Sequence, residues 1–131
     1  MKRDLKFEIS PVKAIIPVAD KVTQTGAAID LAGYNGAVVL VSAGLVTDGT
    51  FTPKIQESDT TTSGDFTDVV AADQLGTFVA IDSTHASNVQ TVGYLGVKRY
   101  IRVVATVSGS PATGGAIAAT VIRGYARDLP A

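Results

Sequence analysis

The fold is indicated most clearly by residues 93–107, which read GYLGVKRYIRVVATV. In the second half of this stretch Ile101, Val103, Ala105 and Val107 occupy alternate positions, and most residues between them are polar. A period of two is typical of a β-strand with one buried face. We therefore predict a central strand here, with its apolar residues directed into a hydrophobic core.

The rest of the chain repeats short strand-like segments separated by turns, and no segment has the length and period of a helix. About eight such segments occur at intervals of roughly 8 to 15 residues, which is typical of a sandwich, a jelly roll or a small barrel. Among these we predict an all-β, antiparallel β-sandwich of the jelly-roll type. The Gly-rich loop 109–115 predicts a hairpin, with residues 117–125 returning as the antiparallel neighbour of the central strand.

The length of 131 residues indicates one core, which we assign to a single sandwich domain over residues 21–131. Residues 1–20 alternate weakly and contain Pro11 and Pro17, a combination tolerated in an extended arm or an edge strand. Such an arm would either pack on its own sandwich or reach a neighbouring subunit.

Composition excludes several classes of function. Charged residues make up 18% of the chain, against roughly 25% in soluble domains, so we expect part of the surface to be covered. The net charge of -1 argues against nucleic acid as a partner. The absence of cysteine excludes disulfides and thiolate metal sites. Because no apolar run is long enough for a signal peptide or a membrane span, we expect a cytosolic product without membrane contact.

Residues 37–43 are apolar on both faces of a predicted strand. Either this is a middle strand covered on both sides, or its outer face meets a partner. We assign Val39 and Val41 to a partner-binding surface on the second interpretation.

A second candidate surface is formed by basic residues, which the predicted hairpin would gather by bringing Arg102 near Arg123. They could contact an acidic patch on a partner, pair with internal acids such as Glu57 or Asp128, or remain in water. The candidate partner-binding residues in this set are Lys98, Arg99, Arg102 and Arg123, with Arg127 nearby.

Three other groups of residues are candidates for a catalytic, metal-binding or sugar-binding site. The sequence from Asp82 to His85 contains the residue types of a hydrolase triad, but four consecutive turn residues favour a polar turn instead. A loop region contains four carboxylates without the spacing of a calcium site, so we predict no metal and no cofactor. The four tyrosines could line a sugar site, although most should be half-buried packing residues. These sets are Asp59, Asp65, Asp68 and Asp73, and Tyr34, Tyr94, Tyr100 and Tyr125.

Four segments, residues 33–36, 51–59, 73–76 and 93–102, carry a resemblance to a family of small structural proteins of tailed bacteriophages. The run from Gly93 to Arg102 is its most specific part, and the resemblance spans roughly residues 30 to 125. Members of that family sit among head-assembly proteins, and some resemble jelly-roll cement or decoration proteins. The resemblance implies a virion protein rather than an enzyme, assembled in the host cytoplasm.

The resemblance also implies a partner and a mode of binding. We expect the protein to form a homo-oligomer, a dimer or a trimer, that binds the major capsid protein on the outside of the head. The alternatives are a component of the neck or tail, or a carbohydrate-binding receptor module.

Overall fold

The computed structural model describes residues 3–85 and 89–128. Two antiparallel sheets pack face to face around one hydrophobic core, which confirms the predicted antiparallel β-sandwich. Parts of the predicted arm and of the predicted sandwich domain fall at residues 1–2, 86–88 and 129–131, which lie outside the described residues.

The described residues form ten strands and two short 3₁₀ turns. The strands are β1 (Ile9–Asp20), β2 (Gln24–Thr25), β3 (Ile29–Asp30), β4 (Tyr34–Val46), β5 (Thr50–Ser58), β6 (Thr67–Asp68), β7 (Gln74–Leu75), β8 (Gln90–Tyr94), β9 (Tyr100–Ser108) and β10 (Gly115–Ala126). The 3₁₀ turns are Ser63–Asp65 and Ala71–Asp73. The first sheet has the order β1-β10-β4-β8-β7, and the second has the order β2-β9-β5-β6 with β3 also paired to β9.

The predicted central strand is confirmed as β9. It lies inside the second sheet, between β5 on one side and β2 and β3 on the other. Ile101, Val103 and Ala105 are each 0% exposed, as the alternating pattern predicts. Each fully buried Ile or Val side chain contributes about 1.5–3 kcal/mol of transfer free energy, so this strand is a main source of stability.

The predicted hairpin between β9 and β10 is wrong, because β9 belongs to the second sheet and β10 to the first. The chain crosses between the sheets at residues 109–114. The Asp48 carboxylate holds this crossing by accepting hydrogen bonds from the backbone N–H groups of Ala112, Thr113 and Gly114. An alternating pattern requires only a buried face, and a strand across the core satisfies it as well as a neighbouring strand does.

The strand-like stretch over residues 22–31 is divided into β2 and β3, with Gly26 between them. The Gly26 N–H donates to the Val103 carbonyl at 2.8 Å. A Cβ atom on Gly26 would collide with the carbonyl oxygen of Ala14, so only glycine allows β1 to approach here. This contact closes one side of the sandwich.

Residues 9–20 form the edge strand β1, which pairs with the protein's own β10. Ala14 and Ile15 are buried in the core, and register shifts interrupt the pairing on both sides of Ile15. Pro11 and Pro17 lie on the same strand. Because proline donates no ladder hydrogen bond and bulges twist a strand, this edge is a poor template for another strand.

The doubly apolar segment lies in β4, between β10 and β8. Val39 and Val41 are both 0% exposed and face the second sheet, so their assignment to a partner surface is wrong. Val38 and Leu40 point away from the core and are half-buried. In the described part of the chain no further sheet covers that outer face, so the interpretation of a strand covered on both sides is also wrong.

The opposite orientations of neighbouring valines in β4 can be tested with matched substitutions. Val39→Thr places a hydroxyl in the core without a partner, and we expect a loss of about 1–3 kcal/mol in the free energy of unfolding. Val38→Thr is the control, with an expected change within about 0.5 kcal/mol. Urea denaturation measures both, and equal losses would contradict this orientation of β4.

Candidate functional site

The predicted basic cluster forms only in part: Lys98, Arg99 and Arg127 line one depression, whereas Arg102 and Arg123 do not. Lys98 Nζ lies 2.8 Å from Asp59 Oδ2. Arg99 forms a two-pronged ion pair with Asp30, with Nε and Nη2 at 3.0 and 2.9 Å from the carboxylate oxygens. Both cations therefore sit in the loop before β9, at one end of the sandwich. For Lys98 and Arg99 these ion pairs confirm the alternative in which the basic residues pair with internal acids. The acids are Asp59 and Asp30 rather than Glu57 or Asp128.

Arg102 lies on the outer face of the second sheet. Its Nε donates to Gln56 Oε1 at 2.8 Å and its Nη1 donates to Ser63 Oγ at 3.0 Å. The guanidinium also lies 4.4 Å from the centre of the Phe66 ring. These three contacts hold Arg102 against its own sheet.

Arg123 lies on the first sheet, so the pairing that would bring it near Arg102 does not exist. Its Nη1 donates to the Asp30 carbonyl at 3.0 Å and its Nη2 donates to Ser10 Oγ at 2.7 Å. The guanidinium stacks 4.5 Å from the Tyr34 ring centre. Because Asp30 belongs to β3 in the second sheet, Arg123 links the two sheets.

A second polar link between the sheets joins β8 to β5. Tyr94 is 5% exposed, and its hydroxyl donates to Glu57 Oε2 at 2.6 Å. The backbone N–H of Lys98 donates to the same hydroxyl oxygen at 3.2 Å. Burial, and then the hydrogen bond to Glu57, raises the pKa of Tyr94 well above its ordinary value, so the hydroxyl remains a donor.

This link explains the most specific run of the sequence. A Cβ atom on Gly96 would collide with the Tyr94 hydroxyl, so glycine is required where the backbone passes over the ring. Two and three residues further along the chain, Lys98 binds Asp59 and Arg99 binds Asp30. Residues 94–99 therefore close one end of the sandwich, and their residue types have a structural reason independent of any partner.

The Tyr94 link can be tested by removing one oxygen atom. In Tyr94→Phe the half-buried Glu57 loses its donor, and we expect the free energy of unfolding to fall by about 1–3 kcal/mol. Tyr100→Phe is the control, since the Tyr100 hydroxyl makes no hydrogen bond with the described residues. Chemical denaturation of both variants is the measurement, and a loss as large in the control would show that the link is not responsible.

Asp30 joins the other polar contacts at the end of the sandwich, because its carboxylate binds Arg99 and its carbonyl binds Arg123. The hydrogen bond from Arg99, followed by the one from the Ala32 N–H, lowers the pKa of Asp30 below its ordinary value of 3.8. A carboxyl whose pKa is lower in the folded state stabilises the fold above the unfolded pKa, and this contribution is lost as the pH falls through the folded pKa. The closure should therefore weaken in acid.

A comparison with Asp30→Asn at two pH values tests this contribution. At about pH 6 we expect wild type to be more stable than the variant, because the variant lacks the charged acceptor for Arg99. As the pH is lowered towards about 2 the difference should shrink, since the wild-type carboxyl takes up a proton as the pH falls through its folded-state pKa. Urea titrations at both values measure it, and a difference that is constant with pH would contradict the role of the charge.

The four loop carboxylates do not gather into a site. Asp59 pairs with Lys98, Asp68 accepts hydrogen bonds from Gln56 and Lys54, and Asp65 accepts one from Thr60. Within residues 3–85 and 89–128, no three His, Asp or Glu side chains are placed to share a metal ion.

The segment from Asp82 to His85 forms a polar turn, which confirms that interpretation of the sequence. Asp82 Oδ1 accepts hydrogen bonds from the backbone N–H groups of Thr84 and His85. His85 Nδ1 also lies 2.9 Å from the same oxygen. The hydrogen bond from the Thr84 hydroxyl, followed by those of the His85 ring and the Thr84 N–H, lowers the pKa of Asp82 to about 2. The carboxylate is thereby occupied within its own turn.

The tyrosines occupy separate environments. Tyr94 is buried, Tyr34 and Tyr100 are half-buried, and Tyr125 is 81% exposed. Three of the four therefore match the expected packing role. Tyr125 differs from them and was not distinguished by the sequence pattern.

The two outer faces of the sandwich differ sharply in polarity. The second sheet presents polar side chains, including Thr52, Lys54, Gln56, Arg102 and Thr106. The first sheet presents mostly apolar or small residues, with one charge: Pro11, Lys13, Val38, Leu40, Thr91, Gly93, Ala118, Thr120 and Ile122. The apolar character of β4 is evident from the sequence, but the residues on its outer face are Val38 and Leu40, not the predicted Val39 and Val41. The period of two indicates these outer residues, because Val38 and Leu40 occupy the positions between the buried valines.

Comparison with protein-family models and with curated protein sequences gives no match to this chain. Among the described residues, no helix is long and apolar enough to cross a membrane.

Proposed function

We propose that this protein is a non-enzymatic structural protein of a tailed-bacteriophage particle. In this proposal it binds the major capsid protein on the outside of the head and stabilises contacts between capsid subunits. The observation that carries the proposal is the apolar outer face of the first sheet. The resemblance of residues 93–102 and three other segments to phage structural proteins supplies the biological setting.

An apolar sheet face supports a binding role for a physical reason. Monomeric proteins rarely expose large contiguous apolar patches, and such patches mark surfaces that contact other molecules. Removing apolar area from water contributes about 25 cal/mol per Å². An oligomer that contacts several capsid subunits at once needs only modest affinity at each contact.

The residues proposed for this contact differ from those selected by sequence. Val38 and Leu40, on the outer face of β4, replace the buried Val39 and Val41. Lys98 and Arg99 keep 43% and 54% of their side chains exposed despite their ion pairs, so they can still orient a partner. Homo-oligomerisation, as a dimer or a trimer, is part of the same proposal.

We also infer jelly-roll connectivity from the order of the strands. The chain crosses between the sheets several times, and the last strand, β10, lies between β1 and β4. In the second sheet β9 lies between β2 and β5 in the same manner. Two interleaved Greek keys produce this arrangement, which is the jelly-roll pattern.

Counting copies in purified particles tests the proposed location. Quantitative mass spectrometry on separated heads and tails should find copies on the order of hundreds in the head fraction, because a capsid lattice repeats its binding sites. A dozen copies or fewer, or recovery with tails, would favour the neck or tail instead. Absence from particles would overturn the proposal.

Matched charge substitutions test the proposed face. In Val38→Glu and Leu40→Glu a carboxylate enters the apolar face, and we expect binding to empty capsid shells in a sedimentation assay to fall at least about tenfold. Thr52→Glu, on the polar outer face of the second sheet, should bind as wild type does. Light scattering of each variant shows whether oligomerisation uses the same face. Equal binding by all three variants would place the contact elsewhere.

A further inference from the structure

We propose that a trough at one end of the first sheet binds an extended segment of a partner protein, in which a large apolar side chain lies close to a carboxylate. This inference does not depend on the capsid assignment, since it describes a chemistry of recognition that any protein partner could supply. It rests on two adjoining depressions of different character.

The apolar depression lies on the outer face of the first sheet and has a volume of about 540 Å³. Gly93 and Gly124 form its floor, and Val38 and Ile122 border them in register. Nothing lies within 4 Å of the position that a Cβ atom on Gly124 would take. The missing side chain of Gly124 therefore leaves open space above the sheet, whereas the Leu75 side chain lies 3.2 Å from the position of a Cβ atom on Gly93. Aliphatic groups and Glu8 border this space.

Tyr125 forms a wall of the apolar depression in an unusual conformation. Its φ of +52° is in the left-handed region, which costs an L-residue with a large side chain about 1 kcal/mol or more. Its ring lies against Gly36, where a Cβ atom would come within 2.7 Å of the ring. Because Tyr125 is 81% exposed, its own burial offsets little of this cost, which points to a role in contact with another molecule.

The second depression, of about 380 Å³, is cationic and shares the residues Asn35 and Gly36 with the first. Lys98, Arg99 and Arg127 line it. The first two are paired with Asp59 and Asp30. Arg127 donates from Nε to Asn35 Oδ1 at 3.3 Å, and no carboxylate of the described residues lies within 4.0 Å of its guanidinium.

Charge complementarity defines the occupant. A guanidinium paired only with a neutral amide retains donors arranged for two-pronged binding of a carboxylate. One such cation is too little for nucleic acid, which requires many phosphate contacts. Tyr125 and Arg127 are two residues apart, so their Cα atoms are separated by at most about 7 Å. The apolar side chain and the carboxylate of the bound segment should therefore be within about three residues of each other.

Titration with short synthetic peptides, followed by amide shifts of the ¹⁵N-labelled full chain, tests this inference. The probe is an acetylated and amidated Gly-Leu-Phe-Asp-Gly peptide, with dissociation constants on the order of 1 mM expected for so small a ligand. Gly36, Gly93 and Gly124 should shift. A peptide with Asn in place of Asp, and another with Ser-Ser in place of Leu-Phe, should each bind at least about fivefold more weakly.

Variants of the trough complete the test. Arg127→Gln should weaken binding of the Asp peptide about fivefold and leave binding of the Asn peptide unchanged. Tyr125→Asn replaces the ring with a residue that tolerates a positive φ, and this variant should bind both peptides more weakly. Lys13→Gln, an exposed cation elsewhere on the same sheet, is the control and should bind as wild type does.

The inference is overturned if no saturable shift occurs up to about 5 mM peptide, if the Asn peptide binds equally well, or if the shifts lie away from the trough. These outcomes are distinguishable from failure of the proposed function. The copy number in particles is measured without the peptides, and peptide binding is measured without particles.

Discussion

The structure depends on burying alternate residues of facing strands between two sheets. No cysteine is available to cross-link the chain, so the core must hold the sheets together. Val39 and Val41 on β4 and Val121 on β10 come from the first sheet, and Ile101 and Val103 on β9 come from the second; all five are 0% exposed. A shift of one residue in any of these strands would exchange its buried and exposed sets, so this packing also sets the register. The polar closures and outer surfaces are positioned as a consequence.

The ends of the sandwich are closed by polar groups that reach from one sheet to the other. Tyr94 donates to Glu57 across one end, and Arg123 reaches the carbonyl of Asp30 beside it. Asp48 holds the crossing loop at residues 109–114. Such groups contribute less than the core individually, but their loss leaves half-buried donors or acceptors without partners. Most of the distinctive residues of the sequence therefore serve the fold, which limits how much of their pattern can be attributed to a partner.

The sandwich and the strand β9 could be predicted from the sequence, because period-two burial is a local property of the chain. The neighbours of β9 in the sheet could not be predicted in this way. Residues 117–125 have the same pattern whether they lie beside β9 or across the core from it, and the difference depends on the loop held by Asp48. The same ambiguity misassigned Val39 and Val41, since a strand that is apolar on both faces does not indicate which face is inward. Arg102 and Arg123 were expected to meet only because of the wrong pairing.

The apolar outer face of β4 is significant because the outer face of the second sheet is polar. Both sheets contribute buried side chains to the core, so core formation alone does not require their outer faces to differ. The second sheet covers its outer face with Lys54, Gln56 and Arg102, which bind one another or neighbouring polar groups. The first sheet leaves Val38 and Ile122 beside glycines, with Tyr125 held over Gly36 in a strained conformation. Neither the half-buried apolar side chains of this outer face nor the strain benefits the isolated domain, and the contact with another protein that we propose would account for both.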